Sequence, residues 1–375
     1  MNKKLFKLLL SILNVIGIFL VILFAVIITR NIKTIKNDYS FLEGKSNKVV
    51  LFIGDGMGEN HIKISSLYLD KEPVFNSFSK NGYVSTFSKQ LFLPTDSAAA
   101  ATALATGKKV NNKEISYHKG KEIESISEYA KSLGYGVGVI TTDDLFGATP
   151  ASFSSHATSR SNVEEIIASQ LISDIDLFLG SGYDTYVNYR EKFEKNGYDF
   201  ISKYSNLNIT DHKIIGSFTK INNYNTDNNL PTLPKLTEFA IDYFEENYPN
   251  GYFIMIEAAH IDKKSHDNNI FEMINYFNEF NNSIDVAYKK LSNESNASII
   301  VTADHETGNL TNTENVTNIS NKLYKSKGHT NKKVKYAKIY KQKQKSNGKS
   351  IAFILKLMLY IFYKYQYYLF FYQLD

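Results

Sequence analysis

Short apolar runs that lead to a carboxylate are the feature that most limits how this chain can fold. Residues 48–53, 252–256 and 297–302 are rich in β-branched and aromatic side chains, which is typical of buried strands. The acidic residues that follow the three runs are, in order, Asp55, Glu257 and Asp304. A chain built on such runs is expected to form a sheet with its polar groups at the strand ends.

Segments with helical spacing separate these strands. Residues 234–247 and 271–291 have that spacing, and residues 136–141 and 177–182 add further apolar runs. The alternation predicts an α/β protein with a mostly parallel central sheet and helices on both faces. Residues 183–233 are polar and are interpreted as irregular connections or as a small excursion from the sheet. Because ligands of such sheets bind beyond the carboxyl ends of the strands, the acidic residues are expected to converge there.

The distribution of charge argues against a nucleic-acid partner. The net charge is +5, but residues 1–36 carry +6, residues 315–375 carry +12 and residues 37–314 carry −13. A basic protein can bind nucleic acid through its charge, whereas here the basic groups lie at the two ends and the middle is acidic. The chain has no cysteine, so a metal would need imidazole, carboxylate or hydroxyl ligands.

The N-terminus is predicted to be a membrane anchor. Residues 8–28 are almost entirely apolar, which is about the 20 residues that cross a bilayer as a helix. A cleaved signal peptide has a shorter apolar core and a small-residue cleavage site, and no Ala-x-Ala follows here. We therefore expect an anchor over residues 1–30, a polar stalk over residues 31–46 and the rest of the chain outside the cytoplasm. Cleavage, with a secreted or periplasmic product, is the alternative.

The segment after the second apolar run carries candidate metal ligands. If Asp262 opens a helix, its spacing from His266 puts both on one face, and a carboxylate with an imidazole suits zinc. Glu257, at the strand end, offers hard oxygen and suits magnesium better. The alternative is a helix N-terminus whose acidic residue complements the dipole, followed by a surface histidine.

Two other strand ends carry similar groups. Asp304 and His305 follow residues 297–302, and this pair again suits zinc. Asp55 lies within the glycine-rich segment 54–58, where glycines let the backbone approach a ligand closely. The alternative for that segment is an ordinary turn without a ligand.

Ser97 stands where a loop enters the alanine-rich, helix-forming segment 98–103. Backbone N–H groups and the helix dipole favour an anion at such a position, so Ser97 is a candidate nucleophile. The alternative is that Asp96 or Ser97 is an N-cap. Arg160, taken alone, is typical of a surface residue.

Seven motifs, taken in order along the chain, resemble those of alkaline phosphatases. They lie at residues 54–58, 95–99, 148–150, 156–160, 257–266, 302–308 and 328–330. The resemblance covers residues 47–337, which it implies to be the catalytic domain with the mostly parallel three-layer fold of that family. It also implies hydrolysis of small phosphate monoesters through a phosphoserine intermediate.

The same resemblance implies the role of each site residue. Ser97 would be the nucleophile, and Arg160 would fork onto the phosphate oxygens, a geometry that lysine lacks. Metal ligands are implied in three groups of carboxylate, imidazole and hydroxyl side chains. One zinc is assigned to Asp262, His266 and His329, a second zinc to Asp55, Asp304 and His305, and a magnesium to Asp55, Thr149 and Glu257.

The chain departs from the family pattern near the magnesium and at its C-terminus. Gly147 stands where relatives often carry Asp or His, which loosens the surroundings of the metal. Lys263 matches the bacterial type, in which a lysine lies near the phosphate through water. Residues 338–375 are first basic and then apolar and aromatic, so they are interpreted as out-of-frame sequence or as a lineage-specific tail. This tail is expected to dock poorly onto the sheet.

Three functions are compatible with these patterns. The first is an active, membrane-anchored phosphomonoesterase, and the second is an inactive relic whose altered C-terminus prevents folding or metal retention. The third is a phosphodiesterase or sulfatase of the same superfamily. Ser97 favours the monoesterase, because those relatives commonly use threonine or a modified residue there. The sequence does not set the oligomeric state, and a homodimer is left open.

Overall fold

The structure is a computed structural model that describes residues 46–79, 82–90, 93–221 and 229–310, residues 17 and 19, and the backbone of residues 329–330 and 337–341. The chain divides into two compact units, Met1–Glu43 and Gly44–Asp375. Among the described residues, no helix is both long and apolar enough to span a membrane. The predicted anchor and stalk lie outside those residues, apart from positions 17, 19 and 46.

Twelve strands are present in the described part of the chain. They are β1 (Lys48–Gly54), β2 (Tyr117–His118), β3 (Lys121–Glu122), β4 (Gly136–Asp144), β5 (Leu177–Ser181), β6 (Tyr198–Ile201), β7 (Lys213–Phe218), β8 (Tyr252–Ala258), β9 (Ala297–Thr302), β10 (Glu306–Thr307), β11 (His329–Thr330) and β12 (Ala337–Lys341). The apolar runs identified in the sequence lie in β1, β4, β5, β8 and β9.

Ten α-helices lie between residues 46 and 310 where the structure describes them. They are α1 (Glu59–Leu69), α2 (Ser97–Thr106), α3 (Ile126–Ser132), α4 (Ala148–Ser154), α5 (Val163–Ile172), α6 (Tyr183–Tyr186), α7 (Arg190–Lys195), α8 (Leu233–Asn247), α9 (His260–His266) and α10 (Ile270–Leu291). Short 3₁₀ turns cover Val74–Ser77, Val187–Tyr189 and Tyr204–Asn206.

The central sheet has eight strands in the order β12-β9-β1-β8-β4-β5-β7-β6. Every neighbouring pair from β9 to β6 is parallel, and only β12 runs antiparallel, at the edge beside β9. Side chains alternate between the faces of a strand, and both faces are covered here. Phe52 packs edge-on against Phe280 of α10 at 6.0 Å, and Phe253 stacks on Phe153 of α4 at 6.2 Å. The predicted α/β fold is confirmed.

The interpretation of residues 183–233 as irregular connections is wrong. This stretch contributes β6 and β7, which extend the sheet beyond β5 as parallel strands. Five of the six residues of β7 are buried. Both strands are short and lie among polar residues, so their apolar content is diluted in any longer window of the sequence.

The predicted boundary after residue 337 crosses a strand. In the antiparallel pairing of β12 with β9, Ala337 lies opposite Thr302 and Lys341 opposite Ser298. The expectation that the tail would not join the sheet is therefore wrong for residues 338–341. Residues 342–375 lie outside the described residues.

Truncation after residue 337 is expected to destabilise the fold, because it leaves β9 as an unpaired edge. Loss of four of the five residues of β12 should cost at least about 2 kcal/mol in hydrogen bonds. The melting temperature should then be roughly 5 °C lower than that of a chain ended after residue 341, which keeps β12. Equal melting temperatures for the two truncations would show that β12 adds nothing to the sheet.

Candidate active site

The carboxylates predicted from the sequence lie at the carboxyl edge of the sheet. Glu257, near the end of β8, stands beside Ile53 of β1 and Thr141 of β4 in register. Asp55 directly follows β1, and Asp304 follows β9 by two residues. Since β9, β1, β8 and β4 are adjacent and parallel, their ends meet at one edge.

Asp55, Asp304 and His305 form a group whose ligand atoms lie within 4.8 Å of one another. His305 Nε2 is 3.2 Å from Asp304 Oδ2 and 3.5 Å from Asp55 Oδ1. All three residues are buried, and neither of these two carboxylate oxygens has a hydrogen-bond partner. Buried polar atoms are ordinarily satisfied, so this arrangement fits a cation.

The electrostatics of this group also favour a cation. Burial, followed by the negative charge of Asp304, raises the pKa of the Asp55 carboxyl well above its usual range. Burial and then the charge of Asp262 do the same to the pKa of Asp304. Like charges crowded out of water disfavour ionisation, and a positive ion at their centre reverses that effect.

Gly56 allows the site to be this compact. Its φ is +67°, and a Cβ there would lie 2.7 Å from Asp262 Oδ1 and 2.8 Å from Thr307 Oγ1. Its backbone N–H donates to Asp304 Oδ1 at 3.1 Å. Only glycine combines this backbone conformation with so close an approach.

Ser97 is the first residue of α2, and its Oγ lies 3.1 Å from His305 Nε2. Asp96 is the N-cap, since its Oδ1 accepts from the Ala99 N–H at 3.0 Å. The capping function therefore belongs to Asp96 and leaves the Ser97 hydroxyl directed at the metal-binding group.

Arg160 lies beside the same helix start. Its Nη1 is 3.6 Å from Asp96 Oδ2, and its side chain is 37% exposed. The backbone is fixed by a 2.7 Å hydrogen bond from the Arg160 N–H to the Lys113 carbonyl, while the Lys113 N–H donates to Asp96 Oδ2. The guanidinium thus reaches the mouth of the site without being locked inside it.

Asp262 and His266 form a second group, on α9. His266 Nε2 is 3.5 Å from Asp262 Oδ2, as the spacing of four residues predicts. Thr307 donates its hydroxyl hydrogen bond to Asp262 Oδ1, and Thr307 Oγ1 also lies 3.2 Å from His305 Nδ1. One hydroxyl therefore connects the two groups of metal-binding residues.

His329 is placed by its backbone alone. In β11 it pairs with Thr307 of β10, the residue that contacts Asp262. The backbone of the third residue implied for this zinc therefore runs beside the second group. The structure describes only the backbone of this residue.

Glu257 and Thr149 form the third group, next to Asp55. Glu257 accepts a hydrogen bond from the Thr141 hydroxyl at Oε2. Burial and then the charge of Asp143 raise the pKa of Glu257 to about 7, although the hydroxyls of Thr141 and Thr149 oppose that shift. Carboxylate oxygens with hydroxyl oxygens nearby suit a hard cation such as magnesium.

Sequence reasoning gave no role to Thr307, Thr141 or Asp143, all of which contact the site. Thr307 lies inside a recognised motif, but only the folded chain brings it to Asp262. Asp143 and Thr141 lie near the end of β4. The acidic pair at residues 143–144 is the sequence signal that would have indicated this strand end.

Comparison with known proteins identifies the family and the fold. A sequence model described as alkaline phosphatase matches residues 46–353. The chain belongs to the alkaline phosphatase family. Alkaline phosphatase 4 of Bacillus subtilis is 31% identical over 287 residues, which are 70% of this chain and 62% of that protein.

Solved alkaline phosphatases show the same architecture. The cold-active enzyme of a psychrophilic Shewanella has a TM-score of 0.66 and 31% identity, covering 70% of this chain and 69% of that one. The enzyme of the Antarctic bacterium TAB5 has a TM-score of 0.69 and 27% identity, covering 80% and 92%. A mutant of the TAB5 enzyme was solved with Mg bound in its M3 site.

The chain spans about three-fifths of the length of the curated alkaline phosphatases it matches first. Family membership and fold follow from the matched region, which includes every site residue described above.

Proposed function

We propose that this chain hydrolyses phosphate monoesters through a phosphoserine intermediate on Ser97, with two zinc ions and one magnesium ion. The observation that carries the proposal is the 3.1 Å separation of Ser97 Oγ from His305 Nε2. That imidazole belongs to the group of three metal-binding residues, so a buried hydroxyl is held beside a cation site at a helix N-terminus.

The residues fit the metals that the family implies. Asp55 Oδ1 and Asp304 Oδ2 are buried acceptors without hydrogen-bond partners, and such oxygens fit a role as ligands of a cation. When bound, the zinc ions supply Lewis acidity at the attacking and leaving oxygens, and magnesium supplies positive charge beside them. Asp55, Asp304 and His305 would hold one zinc. Asp262 and His266 would hold the other with His329.

The remaining chemistry is done by this chain's own side chains. A serine hydroxyl is a weak nucleophile at neutral pH and needs activation, which the positive charge of a zinc ion held beside it by Asp55, Asp304 and His305 would provide. The N-terminus of α2 directs backbone N–H groups at an incoming phosphate. Arg160, partly exposed and close to Asp96, would then turn its fork onto two phosphate oxygens.

The test is turnover of three chromogenic substrates by the purified full chain supplied with zinc and magnesium. A phosphate monoester should be hydrolysed far faster than a phosphate diester or a sulfate ester. Faster turnover of the diester or the sulfate would replace the proposal by a sister activity. No turnover by a folded, metal-loaded chain would favour the inactive relic.

We also propose that the catalytic domain lies outside the cytoplasm on a single N-terminal anchor, because residues 8–28 are apolar enough to span a bilayer and a polar stalk follows. Protease added to intact cells, after removal of any outer layer, is expected to release a soluble and active fragment. Full protection of the chain under conditions that digest a known surface protein would rule this topology out.

A further inference from the structure

The histidine that opens the segment 156–160 is held at both of its ring nitrogens. His156 Nδ1 lies 2.8 Å from the Ser116 carbonyl oxygen, and His156 Nε2 lies 2.9 Å from Glu128 Oε1 on α3. A carbonyl oxygen can only accept a hydrogen bond, so Nδ1 carries a hydrogen. The side chain is only 12% exposed, so few water molecules can compete for the ring.

Glu128 requires the other ring nitrogen to be a donor as well. Its second oxygen, Oε2, accepts from the Ser125 N–H at 2.7 Å and from the Ser125 hydroxyl at 2.9 Å. Burial opposes ionisation of this carboxyl, but the hydrogen bonds from His156 and Ser125 outweigh burial and lower the pKa of Glu128. Because these partners call for a hydrogen on each nitrogen, His156 is assigned as an imidazolium cation.

The charges around the ring agree with this assignment. Burial lowers the pKa of His156, but the hydrogen bonds to Glu128 and Ser116 outweigh burial. The negative charges of Glu128 and of Glu122 on β3 act in the same direction, so the pKa of His156 lies above its usual value.

Other groups on the neighbouring elements leave this balance intact. Glu114 is paired with His118 at 2.7 Å, and Lys113 is exposed to solvent. On α5, the hydroxyl of Ser169 is neutral and accepts a 2.9 Å hydrogen bond from the backbone N–H of His156. The ring is therefore a cation that two carboxylates stabilise.

Residues 113–116 connect this cation to the helix that carries the nucleophile. The Ser116 N–H donates to Thr102 Oγ1, in the middle of α2, at 2.9 Å. At the other end of the segment, the Lys113 N–H donates at 3.0 Å to Oδ2 of Asp96, the N-cap of the same helix. The segment therefore supports both the start and the middle of α2.

The same segment holds the backbone of Arg160. Ile115 and Ala157 form an antiparallel bridge with backbone hydrogen bonds of 3.1 and 2.9 Å. The Arg160 N–H donates to the Lys113 carbonyl at 2.7 Å. Lys113 has a φ of +75°, which a residue other than glycine keeps only where its surroundings hold it. The location of the guanidinium therefore depends on contacts that fix this segment.

We propose that His156 is a positioning residue whose imidazolium joins residues 113–116 to residues 156–160 and so holds Arg160 where it meets phosphate. The inference rests on the proposed function, which assigns Arg160 to the phosphate oxygens. A neutral imidazole has a single N–H, so loss of the proton removes one of the two hydrogen bonds of the ring.

The direction of the pKa shift gives the pH range of this effect. Because the pKa of His156 is raised in the folded chain, its contribution is complete below the ordinary value of about 6.5. The contribution is lost as the pH rises through the pKa of the folded chain. The advantage that His156 gives to phosphate binding should disappear over the same range.

The first experiment measures the protonation of His156 by ¹⁵N NMR of the full chain, labelled at histidine and supplied with zinc and magnesium. His156→Asn identifies its signals among those of the eight histidines. Both ring nitrogens should carry hydrogen at pH 7, and the titration midpoint should be lower in Glu128→Gln. A neutral ring at pH 7 in the wild-type chain would overturn the proposal.

The second experiment measures the binding of inorganic phosphate by calorimetry at pH 7. His156→Asn is expected to weaken binding by about tenfold or more, since a small displacement of a binding group has a large effect. The matched control is His212→Asn, which removes an imidazole that also lies beside a carboxylate, Asp199 at 3.2 Å, but at the start of β7. The control should change the phosphate affinity by less than about twofold, and the metal content of both variants should be unchanged.

A third experiment asks whether His156 acts through Arg160. In an Arg160→Ala background, His156→Asn should weaken phosphate binding by less than about twofold, because the group that it positions is already absent. A full additional loss in that background would show that His156 supports the fold in general and would contradict the proposal. The ratio of the wild-type affinity to that of His156→Asn should fall toward one as the pH passes the midpoint found by NMR. A ratio that does not change with pH would exclude a role for the charge.

The outcomes separate this inference from the proposed function. Unchanged phosphate affinity in His156→Asn overturns the positioning role even if the wild-type chain hydrolyses phosphate monoesters. A loss of affinity that requires Arg160 supports it even if the wild-type chain has no turnover. If His156→Asn does not fold, Glu128→Gln decides the question by the same measurements, because it keeps the shape of the side chain and removes only its charge.

Discussion

Replacing Ser97 by alanine is expected to lower phosphomonoester turnover by about 10³-fold or more, as removal of a nucleophile does in other serine enzymes. The substitution deletes the hydroxyl that lies 3.1 Å from His305 Nε2. Alanine suits the first turn of an alanine-rich helix, and Asp96 continues to cap it. The fold and the metal content should therefore be unaffected.

The matched control for this experiment is Ser161→Ala. Ser161 is an exposed serine next to Arg160, so its loss tests the removal of a hydroxyl near the site without touching the helix start. Steady-state turnover and elemental analysis of both variants complete the comparison. Wild-type rates in Ser97→Ala would refute the phosphoserine route, whereas equal losses in both variants would point to general damage.

Asp304→Asn is expected to remove a zinc ion together with most of the activity. The side chain is fully buried, with one oxygen held by the N–H groups of Gly56 and His305 and the other without a hydrogen-bond partner. Substitution of the residues around a metal's direct ligands lowers the metal affinity by about 10–100-fold. Loss of a direct ligand should therefore lower the zinc affinity by at least about 100-fold. Elemental analysis should fall from two zinc ions and one magnesium per chain to one zinc ion and one magnesium.

Asp267→Asn provides the control for the loss of one carboxylate charge. Asp267 follows α9 and pairs with Lys264 at 3.2 Å on the surface. Full zinc content is expected in that variant. Two zinc ions retained in Asp304→Asn at limiting zinc would show that Asp304 is not a ligand and would leave its partnerless oxygen without an explanation.

The sequence predicts the centre of the fold better than its edges. The strands that lead to Asp55, Glu257 and Asp304 are buried on both faces, so their composition is uniformly apolar and identifies them directly. β6 is only four residues long and alternates buried with partly exposed side chains. The lysines of β12 give it the composition of a basic stretch, although it forms an antiparallel edge strand of the sheet. Edge strands need fewer apolar side chains, and a search for apolar patterns therefore fails to identify them.

In the site, the sequence indicates ligands but not the residues that hold them. The spacing of Asp262 and His266, a local property of the chain, predicts that both lie on one face of a helix, and the structure confirms that proximity. Thr307 becomes important only when β10 and α9 meet, and the Asp143–Lys263 pair joins positions 120 residues apart. No local pattern records such contacts, so the supporting residues emerge only from the folded chain.

The helix that begins at Ser97 has a consequence for how this chain tolerates change. All ten residues of α2 are buried, and seven of the ten are alanine or leucine. A larger side chain in α2 would overpack its surroundings and destabilise the fold by about 1–3 kcal/mol. A glycine there would cost about 1 kcal/mol in helix stability. A saturation library would therefore recover this segment almost unaltered while the neighbouring loops diversify. Substitutions intended to change the proposed activity are therefore better placed around the rim, in the residues near Arg160, than in the helix that presents the hydroxyl.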